Sequence, residues 1–212
     1  LETSGSSLFI AEFENRKNIL KHYSTVIGAV ALIITGIGAF AATSAKPDAA
    51  AQYTASGELI FPANYREWVF LTSGVNMTYS DQPSGMDHDM VDNVFVDPQS
   101  WQEFKKTGRW RDGTVMIKEP RMGAREGSIS KGGTFQTEEL FGLEVHVKDS
   151  KRFKDGWAFF VHSGQEPAEA IPADAECYSC HKANGAVDTT FVQFYPTAKP
   201  LAEKAGTFDA SK

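Results

Sequence analysis

The chain has 212 residues, 42% of them apolar and 23% charged, which suits one folded domain with an appendage and is not the composition of a disordered segment. Its formal charge is −6 and it has no Lys/Arg-rich stripe to displace counterions from phosphates, which argues against nucleic acid. The expected partner is a small molecule or another protein.

Arg16, Lys17 and Lys21 precede an uncharged run from His22 to Ala45. A basic flank, an apolar segment and small residues at Thr43-Ser44-Ala45 and Ala49-Ala50-Ala51 read together as an export signal, and so as a periplasmic protein. An uncleaved anchor through residues 25–43 is the alternative, since the run approaches the roughly 20 residues that span hydrocarbon. A core helix is the third, disfavoured because the run lacks a polar face. Residues 1–45 are therefore set apart as N-terminal extension and signal, 46–57 as a linker and 58–212 as the functional domain; the first 15 residues are left out of the fold reading.

Beyond the linker, β-branched and apolar runs recur at Trp68–Leu71, Val91–Val96, Thr114–Ile117, Leu143–Val147 and Trp157–Val161, separated by Gly, Pro, Asp and Ser clusters that mark strand ends. In Gly142–Asp149, Leu143, Val145 and Val147 alternate with Glu144, His146 and Lys148, the period of a half-buried strand whose polar face can line a site. Asp97-Pro98 opens a short helix with Trp101 and Phe104 on its inner side. Met122 to Gln136 reads as a long Gly-rich connection, and a further helix is expected from about Pro172, carrying the cysteines. The pattern is α+β: a five-stranded antiparallel sheet with packed helices.

Both cysteines of the chain lie in Glu176-Cys177-Tyr-Ser-Cys180-His181, 31 residues from its end. Cys-x-x-Cys-His is the pattern of covalent haem attachment near the C-terminus: Cys177 and Cys180 form thioethers to the two vinyl groups and His181 binds the iron. A structural zinc site would need four ligands, and no further Cys or paired His lies at a compatible spacing. A redox dithiol would be expected in a βαβ unit, which the chain lacks. No Met or His follows His181, so a sixth ligand would have to come from Met77, Met86, Met90, Met116, Met122, His88, His146 or His162. The simpler reading is five-coordinate iron with an open side, suited to ligand chemistry more than to electron transfer alone.

Phe61-Pro-Ala-Asn-Tyr-Arg-Glu-Trp68, Asp97-Pro98, Thr107-Gly108-Arg-Trp-Arg-Asp112-Gly113-Thr114-Val-Met-Ile-Lys118-Glu119, Gly142-Leu143-Glu144, Trp157-Ala158-Phe159, the Cys-His motif and Phe191-x-x-Phe194-Tyr195-Pro196 together resemble the cytochrome P-460 family, over about Glu58 to Pro196. The resemblance implies a periplasmic, β-rich, usually dimeric protein with one haem c and His181 as proximal ligand. It also implies oxidation of hydroxylamine, with nitric oxide as a related ligand and an external electron acceptor such as another cytochrome. Lys118 falls on the lysine whose nitrogen is bonded to the porphyrin edge in such proteins, and Glu144 on a carboxylate of the distal pocket. Read without the family, Lys118 is a strand-end cation and Glu144 a solvated acid. Two departures bear on the distal pocket: Asp92 stands where hydroxylamine-oxidising members carry a basic residue, and the Gly127–Gln136 loop differs from theirs. The alternative within the family is a protein like cytochrome c-prime-beta, which lacks the lysine bond and binds nitric oxide or carbon monoxide behind an apolar wall.

Overall fold

A computed structural model describes residues 51–78 and 87–212 of the chain. The N-terminal apolar run and Met86 lie outside these residues. Six strands, β1 (Val69–Val75), β2 (Asp89–Val96), β3 (Val115–Ala124), β4 (Phe135–Leu140), β5 (Leu143–Lys148) and β6 (Trp157–His162), form one antiparallel sheet in the order β1-β2-β3-β5-β6, with β4 pairing beside β5 on the far half of β3. Among the described residues, three helices accompany it: α1 (Pro98–Thr107), α2 (Glu176–Asn184) and α3 (Lys199–Ala205). None of the helices among the described residues is long and apolar enough to cross a membrane.

The α+β architecture is as expected, with one strand more. The segment expected as a long connection contains the end of β3 and the start of β4. Its residues do not alternate, because β4 is largely solvent-exposed on both faces and is held by polar groups: Gln136 and Asn93 exchange side-chain hydrogen bonds of 2.6 and 3.1 Å, and Thr134 Oγ1 donates to Asp89 at 2.6 Å. The last helix to be anticipated also starts later, at Glu176, after a turn at Pro172–Ala175.

Helix α1 begins where expected. Asp97 caps it by accepting from Ser100 N at 2.8 Å, while its other oxygen accepts from Val115 N at 2.9 Å and so ties the helix start to β3. It ends at Gly108, whose φ of 67° is the left-handed conformation that glycine adopts without strain.

The sheet has two packed faces. Leu143, Val145 and Val147 lie on the first with Phe95, Val115, Ile117 and Phe160, covered by Leu59, Tyr65 and Trp68 from the N-terminal side and by Ala168. The second carries Val96, Met116 and Trp157 against Phe104 of α1, Trp110, Val187, Val192, Tyr195 and Ala202. Each large apolar side chain buried in this way contributes about 1.5–3 kcal/mol of transfer free energy. On β5 this second face was expected to be polar and able to line a site. His146 on it is instead buried, and Lys148 is anchored to the Trp110 carbonyl at 2.8 Å and to Asp188 at 3.1 Å, because residues 185–198 return across this half of the sheet.

Candidate functional site

Cys177, Cys180 and His181 all lie on α2, at positions i, i+3 and i+4, which brings them to one side of the helix. Both thiols are free. The helix is docked on β6 through Tyr178, whose ring meets Phe159 edge-on at 4.9 Å and whose hydroxyl donates to Ile171 O at 2.9 Å. His181 is boxed by Phe159 at 4.6 Å, Phe191 at 4.3 Å and His146 at 5.0 Å between ring centres.

The imidazole orientation follows from one backbone contact: His181 Nδ1 lies 2.8 Å from the Thr189 carbonyl oxygen. A carbonyl can only accept, so Nδ1 carries the proton and Nε2 keeps its lone pair for a metal, the arrangement that fixes the tautomer of ligating histidines. Gly185 makes this contact possible. A Cβ there would lie 2.6 Å from Thr189 C, 2.7 Å from Thr190 N and 2.8 Å from His181 O, so only glycine lets the chain fold back this tightly beneath the ring. Burial lowers the His181 pKa below the usual imidazole value, with the Thr189 hydrogen bond acting in the opposite direction. Burial lowers His146 well below the usual value too, and His181 adds to the effect, so His146 is neutral and stacked on Phe159 at 4.0 Å.

Two residues along β5 from His146, on the same face, stands Glu144. The register places it directly opposite Lys118 of β3. Lys118 Nζ lies 2.9 Å from Glu144 Oε1 and 3.7 Å from Asp92 Oδ1 of β2. All three charged residues picked out along the chain therefore converge. They differ in exposure: the Glu144 side chain is 52% accessible, Lys118 35% and Asp92 17%. Glu144 and Lys118 also act electrostatically on His181, the first raising and the second lowering its pKa.

The other candidate ligands are scattered. His162 is buried on the opposite face with Nδ1 2.9 Å from Glu166 O, His88 stacks on Phe141, Met77 is exposed and Met116 is in the core. Met90 and Met122 face each other across β2 and β3, on the Lys118 side. Phe159 and Phe191 wall His181, whereas the neighbours of Lys118 in register are Val94 and Glu144. Thr189, Gly185, Tyr178 and Phe159 are the contributors that the motif alone did not single out.

The cytochrome P460 family model matches residues 62–192, more than half the chain. The chain belongs to the cytochrome P460 family. A comparison with curated proteins gives no match. Membership implies a haem cofactor, and the donor set on α2 fits one: two free thiols a helical turn apart and, beside them, an imidazole whose Nε2 is left as the lone-pair nitrogen.

Proposed function

We propose that this P460-family protein is an exported c-type haem oxidoreductase that oxidises hydroxylamine. The observation that carries the reading is the Lys118–Glu144 pair, an amine and a carboxylate 2.9 Å apart on the face of the sheet that also bears His146 against His181. Cys177 and Cys180 would hold the haem through two thioether bonds and His181 through Nε2. When bound, the haem supplies a redox-active iron that can take electrons from a small nitrogenous ligand.

The remaining work falls to the chain's own residues. Hydroxylamine loses protons together with electrons, and Glu144, half-exposed and ionisable, accepts them; a positioned base of this kind is worth about 10²–10⁴ in rate. Lys118 would bond to the porphyrin edge and so fix its position. Phe159, Phe191 and His146 keep water from the His181 side. The electrons pass to an external acceptor, for which a second cytochrome is the natural class, and a homodimer in the periplasm completes the proposal.

The purified holoprotein is expected to show a red-shifted ferrous band and to consume hydroxylamine in the presence of an oxidant. Glu144→Ala should lower kcat about 10²-fold or more while haem content is unchanged. Undiminished turnover in that variant removes Glu144 from the mechanism.

A second reading is favoured by Lys118 itself. Its nitrogen is ion-paired to Glu144 at 2.9 Å and lies 3.7 Å from Asp92, and a protonated amine cannot attack a porphyrin. Without the bond, the site would bind nitric oxide without turnover. Mass mapping of the haem peptide separates the two: haem joined through Cys177 and Cys180 alone supports gas binding.

A further inference from the structure

Among the described residues, Asp92 is the charged group of the site that has a buried side-chain oxygen left unpartnered. Its Oδ1 is buried with no hydrogen-bond partner, and the nearest cation, Lys118 Nζ, is 3.7 Å away and already held at 2.9 Å by Glu144. The cause lies in the strand register. From β3, Lys118 reaches Asp92 only diagonally, since the residue opposite Asp92 is Pro120; from β1, the opposing residue is Gly74, which has no side chain to offer. Among the described residues the charges that act on Asp92 are Lys118 and, across it, Glu144. Burial raises the Asp92 pKa above the usual carboxylate range, Lys118 opposes this and Glu144 adds to it.

With Lys118 as an ammonium, the three groups carry one positive and two negative charges. Bonding of Lys118 to a porphyrin carbon, the step on which the reading above rests, changes that sum. The ammonium loses two N–H bonds, the carbon loses one C–H bond, and one C–N bond forms, releasing three protons and two electrons. Hydrogen peroxide as oxidant takes both electrons and two of the protons and leaves as two waters. One proton remains, and the nitrogen is now uncharged between two carboxylates that repel each other across it. Of the two, Asp92 is the more buried and therefore the costlier to leave ionised. Glu144, half in solvent, is the cheaper.

We infer that Asp92 is the proton-holding positioning residue of this site: when Lys118 gives up its charge, Asp92 takes the proton and Glu144 stays ionised as the base. Two carboxyl groups with one proton between them are thereby given separate roles by their environments. The net charge of the cluster is the same before and after the bond forms.

The test is infrared spectroscopy of the holoprotein at neutral pH, in H2O and D2O, alongside mass mapping of the haem peptide. Lys118→Leu leaves position 118 without a positive charge whether or not the natural protein carries the bond, so it decides the inference independently of that reading. One isotope-sensitive carboxylic-acid band is expected in Lys118→Leu, lost completely in Lys118→Leu/Asp92→Asn and kept in Lys118→Leu/Glu144→Gln. Lys118→Met serves as the second variant, and equal haem content with an unchanged far-ultraviolet circular dichroism spectrum shows that each protein is loaded and folded. Natural protein with the mapped bond should show the same band and lose it in Asp92→Asn. Absence of the band in Lys118→Leu, its survival in the Asp92→Asn double variant, or bonded natural protein without it overturns the inference. Natural protein that lacks both bond and band overturns only the bonded reading, and the band in Lys118→Leu then decides whether Asp92 holds the proton.

Discussion

The two faces of one sheet treat a buried carboxylate in opposite ways. On the first, Glu119 of β3 is fully buried and saturated: Tyr65 donates to it, Arg66 at 2.7 Å, Arg121 at 2.8 Å and Asn93 at 3.1 Å. On the second, Asp92 of β2 has, among the described residues, a single cation at 3.7 Å and an unpartnered oxygen. Lys118 and Glu119 are neighbours in sequence and point to opposite sides, so the same stretch of β3 builds both. Saturation makes a charge structural, because every partner would be orphaned by its loss. An under-satisfied charge contributes little to stability and is free to change state, which is what a reaction site needs.

The largest disruption of this contrast is expected from Glu119→Ala. Removing one partner of a buried ionic cluster strands the others, and the expected cost is about 3–5 kcal/mol, read as a lower denaturant midpoint. The pH dependence has a definite sign. Burial pushes the Glu119 carboxyl up, but hydrogen bonds from Arg121 and Tyr65 and the charges of Arg121 and Arg66 outweigh it, leaving its pKa below the usual value. Its contribution is thus complete above the unfolded-state carboxylate pKa of about 4.3 and is lost as pH falls through the lower folded value. The stability gap between the natural protein and Glu119→Gln should narrow through that acid range. A gap that does not change with pH would contradict the ionised, saturated Glu119.

A smaller effect is expected at the His181 loop. Gly185→Ala places a Cβ within 2.6–2.8 Å of backbone atoms that cannot rotate away. Relief requires the 185–190 turn to open, at about 1–3 kcal/mol, the usual cost of overpacking. The same movement draws the Thr189 carbonyl off His181 Nδ1. A changed ferrous spectrum accompanying the loss of stability would show that the turn holds the ring; lost stability with an unchanged spectrum would show that it does not.

How far the chain could be read without its structure depended on the range of the interaction. Alternation of Leu143, Val145 and Val147 is a local signal, and β5 lies where it was expected. Strand β4 has no such signal, because Gln136 is held by Asn93 and Thr134 by Asp89, partners more than 40 residues away. His146 and Lys148 were legible as one face of a strand but not as a covered face, since the cover, Asp188 and its neighbours, comes from the end of the chain. Within the site, side chains of distinctive chemistry stood out: the cysteines, His181, Lys118, Glu144 and the out-of-pattern Asp92. The Thr189 carbonyl could not stand out. It is a backbone atom, and no residue type announces where a loop will point it.

The smallest effect is the one that separates the two faces most cleanly. Burial dominates at Asp92 and raises its pKa, so the folded state prefers the protonated form, and ionising it costs stability as pH rises through its folded value. In protein without the Lys118 bond, Asp92→Asn removes that penalty together with a long ion pair to a partly exposed lysine, and pairs of that kind are worth at most about 1 kcal/mol. The two terms oppose each other. Asp92→Asn is therefore expected to match or exceed the natural protein in stability at neutral pH, by no more than about 1 kcal/mol, and to lose any advantage in acid. For Glu119→Gln the sign is reversed: a deficit at neutral pH that shrinks in acid. Denaturant midpoints for the two variants, followed from neutral to acid pH, should therefore shift against the natural protein in opposite directions. Shifts of the same sign would mean that Asp92 is a second structural carboxylate, and the distinction between the two faces would fall with it.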